Sequence, residues 1–134
     1  MKYSAFLLLA CCILFASCNN YGTKYTSDKE HEVYYKGDGV TEDHAKKLNQ
    51  YLLDLPYFQP GHKASVQLTK NKDTFNVNFV YDKDKVNDAI VGTFKQVGGD
   101  MSTKVFNGSP VTIKLVNETM ETFRDIGYTP AEHE

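Results

Sequence analysis

Apolar residues recur along this chain with two different periods, and the changes of period mark its elements. Ala45, Leu48, Leu52 and Leu55 return at three, four and three residues, with Tyr51 beside them and Lys46, Lys47, Asn49 and Gln50 opposite. That spacing is a helix with one buried stripe. Thr41 precedes it as an N-cap, and Glu42 and Asp43 follow at the end where negative charge is favoured. Pro56 closes the helix by disfavouring helical geometry at Leu55, and Tyr57-Phe58 are expected to tuck under its end as core before a turn at Pro60-Gly61.

From Ala64 the period drops to two. Val66 and Leu68 alternate with Ser65, Gln67 and Thr69, a polar turn spans 70–73, and Phe75, Val77, Phe79 and Tyr81 alternate with Asn76, Asn78 and Val80. This is the pattern of a β-hairpin. A second helical stripe, Val86, Ala89, Ile90, Phe94, Val97, Met101 and Val105, follows a cap expected at Asp84. It crosses Gly98-Gly99, each of which costs a helix about 1 kcal/mol relative to alanine, and the expectation is that the helix continues through them. Val33-Tyr34-Tyr35 reads as a first strand, Val111, Ile113 and Leu115 as a later one, and 122–128 as either an edge strand or a helical turn.

The resulting order, β-α-β-β-α-β, matches the split, ferredoxin-like arrangement. The expected fold is α+β: an antiparallel sheet with two helices on one face and room for an extra C-terminal edge strand. The face away from the helices would carry Tyr34, Gln67, Thr69, Asn76, Asn78, Thr112 and Lys114. An amide- and hydroxyl-rich face with one aromatic suits a flat partner, so this face, more than a pocket, is the expected binding surface. RNA would want paired aromatics and basic residues there, and only Tyr34 is aromatic.

The amino terminus changes the picture. Lys2 is followed by an apolar run over 4–16, then by small Ala16-Ser17 and by Cys18. The run is about 13 residues, short of the roughly 20 that span a bilayer, and has the layout of an export signal. The junction resembles the lipobox of bacterial lipoproteins, and the body resembles the small domains such proteins carry. The resemblance implies cleavage before Cys18, lipidation of Cys18 with palmitate-type chains, and a home in the bacterial cell envelope, where Asn19 after the cysteine leans toward the outer membrane. The implied organisation is a signal peptide over 1–17, a flexible tether over 18–32, one α+β domain over 33–128 and a disordered tail over 129–134.

Composition removes several chemistries. With 15 basic and 17 acidic residues interspersed and a net charge of -2, the chain lacks the footprint of a nucleic-acid binder. Cys11, Cys12 and Cys18 are its three cysteines, so after cleavage only Cys18 remains, and neither a disulfide nor a thiol centre is expected. The stretch from Asp82 begins like a calcium loop but has Val86 at the fifth place and Thr93 where the bidentate glutamate belongs, so a capped turn is expected. His31, His44, His62 and His133 are scattered and build no metal face. Neither a nucleophile elbow, a phosphate loop nor a dinucleotide fingerprint is present, so no cofactor is expected.

These residues point to a lipid-anchored, non-enzymatic binding or assembly module of the envelope, partnered by the membrane through Cys18 and by an envelope protein. The alternative is a small envelope hydrolase or ligand sensor with a pocket between helices and sheet. A concavity gathering Asp43, His44 or His62 would favour it.

Overall fold

The computed structural model describes residues 21–27, 30–55, 57–58 and 64–128. The segment 1–17 expected as a signal peptide, Cys18, Pro56, Pro60-Gly61, His62 and the stretch 129–134 lie outside them. In chain order the elements are β1 (Thr23–Tyr25), β2 (His31–Tyr35), α1 (Glu42–Leu53), β3 (Ala64–Asn71), β4 (Thr74–Val80), a 3-10 turn (Lys83–Lys85), α2 (Asp88–Lys104), β5 (Val111–Val116) and β6 (Thr122–Tyr128).

The α+β class and the alternation from β2 to β5 agree with the sequence pattern, but the sheet does not have the ferredoxin-like order. Its six strands lie side by side in the order β1 to β6. β2 pairs parallel with β3 and β4 parallel with β5, while the other three pairings are antiparallel. The sheet is therefore mixed. Each helix carries the chain to the neighbouring strand, whereas a ferredoxin-like crossover passes over one strand and interleaves the two halves. Both arrangements share the same succession of elements, so periodicity alone does not separate them. The stretch read as a tether also holds structure, since β1 lies within it and β2 begins at His31.

Thr41 caps α1 as expected. Its Oγ1 accepts from the His44 N–H at 3.3 Å, and the Thr41 N–H donates to His44 Nδ1 at 3.1 Å, a capping box closed by histidine where glutamate is usual. α2 starts later than its stripe suggested. Its cap is Asn87, which accepts from the Ile90 N–H at 3.0 Å; Asp84 belongs to the 3-10 turn, whose cap Asp82 accepts from the Asp84 N–H at 3.0 Å. Ala89 is exposed. The helix runs unbroken through Gly98-Gly99, and a methyl group on Gly98 would stand 3.2 Å from Ile113 Cδ1. The missing side chain lets α2 lie close on β5.

Register builds the core. Val33, Val66, Phe79 and Leu115 form one row across β2 to β5, and Tyr35, Leu68, Val77 and Ile113 the next. Leu48 and Leu52 of α1 and Phe94 and Met101 of α2 join those rows in one buried cluster, and the Tyr51 hydroxyl donates to Asp100 Oδ2 at 2.7 Å to tie the two helices together. Among the described residues no helix is long and apolar enough to cross a membrane.

Candidate functional site

The register puts all seven predicted face residues on the side of the sheet opposite the core rows. Tyr34, Gln67, Asn78 and Lys114 form one row, and Thr69, Asn76 and Thr112 another. The face is less open than alternation implies. Gln67 is only 6% exposed and Val116 is fully buried. Part of the cover is the chain itself. Gly22 takes φ +111°, and a methyl group there would meet the Tyr35 carbonyl oxygen at 2.5 Å. This glycine turn folds Tyr21 back over the sheet, so that the Gln67 Nε2–H donates to the Tyr21 carbonyl at 3.0 Å and the Tyr21 ring meets Tyr34 edge-on at 5.9 Å. Asn78 Nδ2 donates to Gln67 Oε1 at 3.0 Å, leaving Asn78 Oδ1 buried without a partner among the described residues. The Tyr34 hydroxyl donates to Glu32 at 2.5 Å, and burial together with that carboxylate pushes its pKa up to about 12.

A second feature lies at one end of the sheet, between helix and strand residues. Where β2 and β3 begin and β4 ends, a half-open concavity of about 750 Å³ wraps the strand ends. It is lined by Leu52, Leu55, Ile90, Phe94 and Val97 from the helix side, by Tyr57, Phe79 and Tyr81, and by Tyr21 and Tyr34. Tyr57 follows α1 and packs edge-on against Phe79 at 4.9 Å. Its hydroxyl lies 3.1 Å from the Ser65 carbonyl and 2.9 Å from that of Val80, which ties the chain after α1 to the two strand ends, and burial raises its pKa. Asp82, Lys85 and Glu118 supply the charged rim. A smaller recess of about 490 Å³ adjoins it, walled by Asn117, Glu118 and Phe123.

Asp43 and His44, whose gathering in a concavity would favour a hydrolase or sensor, stand at the other end of the sheet. His44 packs edge-on against Phe75 with ring centres 5.0 Å apart, and Asp43 pairs with Lys47 at 3.1 Å; neither borders the concavity. Burial, then the charge of Lys70, hold the His44 pKa below its usual value. A neutral imidazole is what the capping box needs, because Nδ1 must accept. Among the described residues no three His, Cys, Asp or Glu side chains gather as a metal group.

Most of the wall residues were read as core, because a side chain lining an internal space repeats with the same helical and strand periods as one filling it. The available signal was weak: Tyr57 and Tyr81 put polar-tipped rings where aliphatic residues would fill a closed core.

The chain belongs to the AF_1994_N family, whose N-terminal domain model matches residues 25–127. No curated protein and no solved structure matches it. The matched span runs from the end of β1 into β6 and includes most of the concavity; Cys18 and Tyr21 precede it.

Proposed function

We propose that the protein is a lipid-anchored binding module of the bacterial cell envelope, held on the membrane through Cys18 and taking an apolar ligand into the concavity at the end of its sheet. The observation that carries this reading is the concavity itself. A half-open space of about 750 Å³ walled largely by aliphatic and aromatic side chains has the size and chemistry of a ligand site. Its polar groups favour holding over turnover: the Tyr57 hydroxyl is engaged with strand carbonyls, and the Asp82 carboxylate caps a turn.

Two measurements test it. Cys18→Ala should leave the membrane fraction or stall before cleavage; unchanged retention with the signal removed would eliminate lipid as the anchor. A dye that fluoresces in apolar surroundings should bind the wild-type protein and be displaced when Val97→Trp fills the wall, while equal binding by a correctly folded variant would eliminate the concavity as the site.

The polar sheet face supports a second reading, a partner surface, because seven amide, hydroxyl, amine and phenol side chains share it in two rows. Glutamates introduced together at Asn76 and Thr112 would bring repulsion and desolvation into such an interface. A folded, membrane-bound double variant that still recovers every partner at wild-type level would rule this out.

A further inference from the structure

Resting on the lipid-anchored reading, we infer that the occupant of the concavity is an acyl chain of a phospholipid drawn from the bilayer to which the protein is anchored. The first ground is where the chain leads. Tyr21 lines the space, and Cys18 lies three residues upstream, a distance that an extended chain covers in about 10 Å. An anchor at Cys18 therefore keeps one side of the concavity within about 10 Å of the membrane surface.

The wall is the second ground. Its accessible apolar surface comes chiefly from half-buried Leu55, Ile90 and Val97, with Leu52 and Phe94 packed behind them. Leu55, Ile90 and Val97 offer a guest carbon alone, and the Tyr57 hydroxyl is already engaged with strand carbonyls, so a polar group held against that wall would lose water without an equal partner, and the part of the ligand that lies there is hydrocarbon. The rim is the third ground. Lys85 borders the space and has no ion-pair partner among the described residues, a cation placed for a phosphate. Asp82 and Glu118 on the same rim suit the ammonium of a zwitterionic headgroup.

The chain contains no tryptophan, so one introduced indole is an unambiguous reporter. Thr93 is exposed on α2 and borders the concavity, whereas Thr103 is exposed on the same helix away from it. The lipidated Thr93→Trp and Thr103→Trp proteins are reconstituted in phosphatidylethanolamine vesicles, with and without bromine on the acyl chains. The Thr93→Trp protein should have blue-shifted emission and lose most of it to brominated lipid, while the Thr103→Trp protein keeps its emission. Native mass spectrometry of the wild-type protein should carry one non-covalent phospholipid that Val97→Trp loses.

Blue-shifted emission that brominated lipid does not quench would mean that the Cys18 lipid itself fills the site, and overturns the proposal. Quenching with no retained phospholipid would mean that the wall merely touches the bilayer, and also overturns it. The same spectrum reads the covalent lipid mass on Cys18. Its absence sinks the anchoring reading, a result distinct from the presence or absence of the bound phospholipid.

Discussion

Phe75 and Phe79 stand at opposite ends of one strand, on the same face, and their surroundings differ. Phe75 is closed in. Phe106 stacks on it with centres 4.2 Å apart and planes 17° apart, His44 meets it edge-on, and Lys70 Nζ sits 4.8 Å from its ring centre. Phe79 is itself no more exposed than Phe75 and has as many aromatic neighbours, with Tyr57 and Phe94 each at 4.9 Å, but a space lies on the far side of these neighbours. Aromatic density alone thus does not distinguish core from site. At the Phe75 end, the start of α1 and the turn after α2 cover the sheet; at the Phe79 end, the last turn of α1 and the first half of α2 line an opening.

The comparison is broken most forcefully at its centre. Leu52 and Phe79 are buried, so Leu52→Ala should cost about 2–5 kcal/mol and Phe79→Ala about 3–5 kcal/mol in chemical denaturation. Phe75→Ala should match the latter. Ile90→Ala, on the open wall, should cost only about 1 kcal/mol, because a half-buried side chain loses less on truncation. A loss at Ile90 as large as at Phe75 would mean that the two ends are equally closed.

Smaller effects sharpen the same contrast. Asn78→Ala should cost about 1 kcal/mol: it breaks the bond to Gln67 but also removes a buried oxygen that has no partner. A loss of several kcal/mol would show the polar face to be core. Gly99→Ala should stabilise by up to about 1 kcal/mol through helix propensity, since nothing lies within 4 Å of the added methyl group. Gly98→Ala should gain less, because its methyl group presses on Ile113; thermal unfolding ranks the pair.

The smallest effect is a pH dependence confined to the closed end. Burial and the charge of Lys70, with Lys47 adding and Asp43 opposing, hold the His44 pKa below its ordinary value. The unfolded chain therefore takes its proton at a higher pH than the folded chain does. Stability from this group is complete above about pH 6.5, falls as the pH drops below that value, and levels off once the folded imidazole is protonated. The Thr41 amide resonance should shift over the same window as its acceptor is lost. Thr41 shifting only below pH 4 would remove His44 as the cause.

Local elements were legible because their causes are local. The stripe through Leu48 and Leu52, the Thr41 cap, and the alternation of β3 and β4 each follow from spacing within a few residues. Even the face assignment of Gln67 and Asn78 followed, since a period of two fixes which side each residue takes. Pairing partners were not legible, because Val33 against Val66 and Phe79 against Leu115 depend on which strand a crossover reaches. The concavity was hidden for the same reason: Leu55, Tyr81 and Ile90 come together from separate elements, and the space they border is a property of how those elements meet. Gly22 was missed because its role depends on Tyr35, a contact across two strands.

The strand order has a kinetic side. Every strand of this sheet bonds to the next one the chain makes, with at most one helix between them, so no pairing has to skip over a strand made in between. The three antiparallel pairings join strands a short turn apart and can form early, while the two parallel ones must wait for a helical crossover and set the pace. As the chain emerges, each strand can dock on the one already formed, and the growing edge stays short-lived as a template for pairing with another molecule.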